Sequence, residues 1–183
     1  SSAHIEQIVT PFLQSLRDDT GDSASMAARV DDNAMYIAHV STQRQIRLAA
    51  HPGTRFPLHA TSLGNVLLAL GSDEAFEDYL ATSTRESFTP NTITSEAALR
   101  GEAALIRQQG YASARDELDH GITSLAVPIN HGGDVVAAIN CSTATSRAVS
   151  EDFIATRLPR VQEAAAHIER ALRHYPTLSN VLK

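Results

Sequence analysis

Two polar turns, each flanked by runs of alternating β-favouring residues, do most to limit what this chain can fold into. "ITSLAVPIN" (122–130) and "DVVAAINCST" (134–143) are separated by His131-Gly132-Gly133, and glycines there supply the backbone freedom of a tight hairpin. Residues 24–30 and 34–40 are separated by Asp31-Asp32-Asn33, again turn chemistry. Two hairpins commit the chain to antiparallel sheet. Further strands are expected at 46–51, closed by Pro52-Gly53, and at 111–113.

The rest of the pattern is helical. Ile5, Ile8, Val9, Phe12, Leu13 and Leu16 line one face of an opening helix, which Pro11 should kink or delimit. Leu63, Val66, Leu67 and Leu70 form the apolar face of a short helix that Thr61 or Ser62 can cap and Gly71 ends. Ser72 opens another helix carrying Phe76, Tyr79 and Leu80, and a polar loop runs over 83–92. Thr94 or Ser95 caps a helix with Leu99, Ala103 and Ile106, which stops at Gly110. Ser150 is expected to cap a long last helix striped by Ile154, Leu158, Val161, Ala165, Ile168 and Leu172, bent at Pro159. The order predicts an α+β fold: an antiparallel sheet of five or six strands, with the first and last helices on one face. The middle helices and loops cover the other face and enclose a small-molecule pocket.

Composition narrows the function. A chain of 183 residues can build one domain with its own core. Its net charge is −6, and Lys183 is its only lysine, so it is a poor polyanion binder by itself. No run reaches the roughly 18 apolar residues of a membrane span, and no secretory leader is recognisable. Cys141 is the only cysteine, which excludes an internal disulfide or a multi-cysteine zinc site and fits a reducing, cytoplasmic home. In its apolar strand it reads as an inert buried thiol.

Enzyme chemistry finds little support. Asp116, Glu117, Asp119 and His120 form the densest acidic cluster, which reads first as a solvated loop face. There is no HExxH spacing, no G-x-S-x-G elbow and no glycine-rich phosphate loop. Ser62-x-x-Asn65 lacks the lysine of an S-x-x-K nucleophile. A metal-binding or hydrolytic domain using Asp116 to His120 stands as the alternative function, and a pure assembly module as a third. No metal or cofactor is expected.

Three stretches carry a resemblance. "GTRFPLHATSLGNVLLA", "QGYASARDELDHGITSLAVPI" and "VVAAINCSTATSR" resemble, in order and spacing, the signatures of the effector-binding domain of IclR-family transcription regulators. Their ends look most like the subgroup serving protocatechuate-type and other aromatic catabolism. The resemblance spans essentially the whole chain, 1–183. It implies a GAF-like fold, a small carboxylate effector, and homodimers or tetramers in the full regulator. It also implies a winged helix-turn-helix that would precede this domain and is absent from the chain, so DNA would be reached only through that missing part. The family's motif often carries lysine or arginine where this chain has Asn65.

By itself the Thr61-Ser62 pair is a plain helix cap. The resemblance makes it an anion site, with Ser62 and Leu63 presenting backbone N–H groups to the effector carboxylate and the Thr61 and Ser62 hydroxyls adding bonds. It places Leu48, Phe56 and Ile122 at apolar wall positions, and Ser124, Asn140 and Ser142 at polar positions on the two late strands. Its acidic position falls on Ala114, leaving Arg115 next door as a candidate cation. Near the C-terminus Leu178, Val181 and Leu182 are expected to dock on this domain or on a partner subunit.

Overall fold

The computed structural model describes residues 2–42 and 50–175. In chain order the elements are α1 (Ser2–Thr20), β1 (Ser23–Val30), β2 (Asn33–Val40), β3 (Arg55–Pro57), a 3-10 turn (Leu58–Ala60), α2 (Ser62–Ala69), α3 (Asp73–Thr82) and α4 (Glu96–Gln109). There follow β4 (Ala112–Arg115), β5 (Ile122–His131), β6 (Asp134–Ala144), α5 (Thr145–Ser150) and α6 (Phe153–Arg173). Six strands form one sheet in the order β3-β2-β1-β6-β5-β4, and every neighbouring pair is antiparallel. Both hairpins form where the turn residues demand them: Asp31 takes φ 54°, and Gly132 and Gly133 take 59° and 86°.

Two layers cover the sheet. On one face α1 sets Ile5, Val9, Leu13 and Leu16, and α6 sets Val161, Ala165, Ile168 and Leu172, against Met26, Ile139 and Cys141. On the other, α2, α3 and α4 bury Leu63, Val66, Phe76, Tyr79, Leu99 and Ile106 over Ala27, Ala126 and Ala138. The alanines matter, because small side chains on that face let α2 lie close to the strands. No helix among the described residues is long and apolar enough to cross a membrane.

Several expectations change in the structure. Pro11 neither starts nor ends α1, which runs through it. Pro11 and Gln7 are exposed, so the Gln7 carbonyl that loses its intrahelical partner faces water. Pro159 likewise sits exposed inside α6. Ser150 ends α5 instead of capping α6. The junction turns through Asp152 at φ 49°, and Asp152 offers no side-chain cap. Buried Arg157 braces this junction, holding Asp22 (2.8 Å) and Glu151 (2.5 Å).

The short edge strand β3 lies where no strand was expected, ending on Pro57, whose missing N–H is tolerated at a sheet edge. Of the strand expected at 46–51, residues 46–49 lie outside the described residues, and Ala50 and His51 are not in a strand. Leu178, Val181 and Leu182 also lie outside them.

Candidate functional site

The site begins with a close approach. A Cβ placed on Gly64 would sit 2.2 Å from the Leu58 carbonyl oxygen and 2.5 Å from its Cα, so only glycine lets the first turn of α2 press against the 3-10 turn. Between the two lies Thr61, the N-cap. Its Oγ1 accepts from the Gly64 N–H (3.0 Å) and donates to the Pro57 carbonyl (3.3 Å). The capping hydroxyl is therefore committed to the fold, while the first-turn N–H groups of α2 have no acceptor within the helix.

Across from this helix mouth lie the two long strands. Ser124 on β5 donates to Ser62 Oγ at 2.7 Å. Ser142 on β6 is the register partner of Ser124, and Asn140, two residues earlier, shares its face. Asn140 is 5% exposed, and its Oδ1 has no hydrogen-bond partner among the described residues. Ser62, Ser124, Asn140 and Ser142 line one cavity of about 70 Å³, room for a few water molecules.

Tyr36 and Phe56, with ring centroids 5.1 Å apart, form an aromatic wall. Burial raises the Tyr36 phenol above its ordinary pKa. Beside Asn140 in register, Ser25 bonds the His39 ring through Nδ1 at 2.7 Å, and burial lowers the His39 pKa. A bulge makes this possible. Met26 pairs with Ala38 but Ala27 with Tyr36, so the extra residue, Ile37, shifts the alternation and brings His39 to the face Tyr36 occupies.

The roof is the charged loop: Glu117, Leu118 and Asp119 line the cavity. Asp116 closes the loop on itself from φ 55°. Its Oδ1 accepts from Gly121 N–H (2.8 Å) and Thr145 Oγ1 (2.7 Å). These bonds, the Thr145 one foremost, hold its carboxyl below the usual range. The Thr89 and Thr92 hydroxyls donate to the carbonyls of Asp116 and Glu117, strapping the loop from outside. Glu117 itself is 7% exposed. Burial, then the nearby Glu102 charge, raises its carboxyl to about 7.

Of the expected site residues, Phe56, Thr61, Ser62, Ile122, Ser124, Asn140 and Ser142 come together around the cavity. Leu48 lies outside the described residues. Leu63 is buried in the core under α2, not in the cavity wall. Only its backbone, in the first turn of α2, remains a candidate contact. Arg115 is corrected: it is exposed at the end of β4, and strand alternation gives the cavity Ala114 instead.

The acidic cluster is corrected as well. Asp116 is spent on a latch and Glu117 turns inward, while Asp119 and His120 are exposed, so it is not a uniformly solvated face. Among the described residues no three His, Cys, Asp or Glu side chains are grouped to hold a metal ion. Cys141 is fully buried on the opposite face of β6, and burial pushes its thiol far up. Tyr36, Ala60 and Leu118 line the cavity without having been singled out in the sequence, and Ala114, Glu117 and Asp119, named there in other roles, line it too.

Residues 1–170 match the family model described as the C-terminal part of the bacterial transcriptional regulator IclR. The chain belongs to the IclR family. It is 32% identical over 172 residues to the HTH-type transcriptional regulator XynR of Escherichia coli, covering 93% of this chain and 68% of that one. It is also 32% identical over 161 residues to the Pca regulon regulatory protein of Pseudomonas putida, covering 87% and 55%. The chain thus spans about half to two thirds of the length of these curated relatives.

Among solved structures, the IclR of Thermotoga maritima superposes with a TM-score of 0.85 at 29% identity, over 92% of this chain and 68% of that one. An IclR homolog of Microbacterium hydrocarbonoxydans complexed with 4-hydroxybenzoate gives 0.84 at 26%, over 94% and 70%. The IclR domain described here therefore carries the fold expected from its signatures. The relatives it matches are named as transcriptional regulators.

Proposed function

We propose that this IclR domain senses a small carboxylate metabolite in the cytoplasm and thereby controls DNA binding by a winged helix-turn-helix domain elsewhere in the full regulator. One observation carries the reading. The Ser62–Ser124 hydroxyl pair lies at the N-terminus of α2 in one small cavity with the buried Asn140, whose unpartnered Oδ1 would accept from a hydroxyl of the same ligand. Buried polar groups without partners are rare, and a helix N-terminus beside hydroxyl donors suits an anion. The complex of a related IclR homolog with 4-hydroxybenzoate supports an acid as the ligand class.

Size refines the choice. A cavity of about 70 Å³ is roughly half the ~150 Å³ that holds benzene in a protein core. A short aliphatic acid fits within this volume, whereas an aromatic acid needs more room than it offers. Either ligand acts by linkage: it favours one arrangement of the domain, and a tenfold change in operator affinity needs only about 1.4 kcal/mol of differential binding. Assembly into homodimers or tetramers is part of the proposal, supported by the sheet's having two edge strands, β3 and β4, among the described residues.

A thermal-shift screen of short aliphatic acids, hydroxybenzoates and their neutral amides tests it. Carboxylates should raise the melting temperature by mass action while the amides do not. Equal shifts with acids and amides, or none with any acid, would overturn the reading.

A further inference from the structure

The aromatic wall of the cavity is held in place by more than packing. Tyr36 and Phe56 are the only aromatic side chains among the described lining residues. Phe56 lies on the three-residue edge strand β3, whereas Tyr36 lies on β2, which is paired on both sides. The Tyr36 N–H donates to the Thr54 carbonyl and the Tyr36 carbonyl accepts from Gly53 N–H, both at 2.8 Å. Its ring stacks on His39, with centroids 5.8 Å apart and planes 28° from parallel. His39 is fixed at both ring nitrogens: Nδ1 meets Ser25 Oγ at 2.7 Å and Nε2 meets Ser41 Oγ at 3.1 Å. Ser25, 1% exposed, also stands beside the Tyr36 phenol. The bulge at Ile37 is what puts Tyr36 and His39 on one face, and bulges of this kind re-aim side chains next to sites. A free surface tyrosine changes rotamer within nanoseconds; a ring clamped in this way does not turn aside.

We propose that Tyr36 determines which acids this domain senses: its clamped ring limits the cavity to short hydroxy acids and turns aromatic acids away. The inference rests on the carboxylate reading above. In that reading the ligand's charge lies at the first turn of α2 beside Ser62 and Ser124, and its hydroxyl donates to Asn140 Oδ1. With both polar ends fixed, the rest of the ligand must share about 70 Å³ with the aromatic wall. Size selection works only where the wall cannot move, because a wall that swings aside admits the larger ligand as well. Tyr36 is the ring that the structure immobilises. Removing its phenol would free about the space of one ring and bring the cavity towards the ~150 Å³ that holds benzene.

Isothermal titration of the chain with lactate and with 4-hydroxybenzoate reads the preference as a ratio of two Kd values. Wild type should bind lactate more tightly by about tenfold or more. Tyr36→Val keeps a β-branched residue in the strand and removes the ring. It should reverse the preference: 4-hydroxybenzoate gains about tenfold, while lactate loses affinity because part of the cavity stays unfilled. Tyr36→Phe keeps the ring and should keep the wild-type ratio. Ser25→Ala keeps the ring but removes the anchor of His39, and should move the ratio part of the way towards that of Tyr36→Val.

Equal or tighter binding of 4-hydroxybenzoate by the wild type, a measurement that needs no variant, would overturn the role of Tyr36 while leaving carboxylate binding intact. So would an unchanged ratio in a folded Tyr36→Val; if that variant does not fold, Tyr36→Leu carries the same comparison. An unchanged ratio in Ser25→Ala would overturn the clamp. Binding of neither acid by the wild type would overturn the carboxylate reading and this inference together.

Discussion

The Ser124 hydroxyl donates to Ser62 Oγ across 2.7 Å and ties the beginning of β5 to the first residue of α2. The two residues are 62 positions apart, and their bond fixes the helix mouth over the polar face of the sheet. Ser124→Ala should therefore loosen the floor of the cavity. It removes the donor and leaves Ser62, 1% exposed, without this partner. The expected cost is about 1 kcal/mol of stability, or roughly 2–4 °C in melting temperature for a domain of this size. Ligand affinity should fall several-fold. Calorimetry and titration would read both. A variant with wild-type affinity would place the ligand elsewhere.

Asn140→Leu separates binding from folding. The side chains are similar in size, and the Asn140 Oδ1 has no partner to lose. Replacing an unsatisfied buried polar group by an apolar one of similar shape is nearly neutral or stabilising. The melting temperature without ligand should hold or rise, while the shift produced by carboxylates disappears. A retained shift would show that Asn140 does not touch the ligand.

Much of this was written in local chemistry, and the exceptions have physical reasons. The His131-Gly132-Gly133 turn, the Thr61 cap and the period-two pairing of Asn140 with Ser142 are short-range patterns, so both the sheet and the cavity floor were legible. The burial of Glu117 was not. "RDELDH" has the composition of a solvated loop, and only the strap of Thr89 and Thr92 from a distant loop turns Glu117 inward. Tyr36 and His39 share the cavity face only because of the bulge at Ile37, which no simple alternation reveals. Arg115 shows the converse: alternation along β4 puts it opposite to Ala114, so its charge never faces the cavity.

Gly64→Ala should damage the site through the backbone. The new methyl would collide with the Leu58 carbonyl and Cα, which are main-chain atoms that cannot rotate away. Overpacking of this kind costs about 1–3 kcal/mol. It also pushes the 3-10 turn, and with it Thr61, off the helix mouth. Both stability and ligand affinity should fall. Equal affinity in a destabilised Gly64→Ala would show that the Leu58–Ala60 turn does not help shape the cavity.

Stability should depend on pH through two carboxyls of opposite sign. Glu117 is raised to about 7 by burial and by Glu102, whereas an unfolded glutamate titrates near about 4.3. Between those values the folded state holds more protons, so unfolding free energy falls as pH rises. The contribution is full below the unfolded value and lost as pH rises through the folded one. Asp116, lowered foremost by the Thr145 hydroxyl, contributes above its unfolded value and loses that contribution as pH falls through its folded one. Urea unfolding of Glu117→Gln between about pH 4.5 and pH 7 should show a flatter slope than wild type. An identical slope would mean that Glu117 is ionised in the folded domain.

The ion pair of Asp22 with Arg157 makes the clearest stability test, because it lies outside the cavity. Arg157 is 5% exposed and Asp22 fully buried. The guanidinium Nε sits 2.8 Å from Asp22 Oδ2, and Nη2 reaches Glu151 Oε2 at 2.5 Å. It thereby joins the start of β1 to the α5–α6 junction, where Asp152 offers no cap. Arg157→Met would leave the Asp22 charge buried and uncompensated, a loss of about 3–5 kcal/mol. Removing both charges avoids that penalty, so Asp22→Asn combined with Arg157→Met should recover part of the loss instead of adding to it. Denaturant unfolding of the two single variants and the double variant closes the cycle. Strictly additive losses would mean that Asp22 and Arg157 are energetically independent despite their contact.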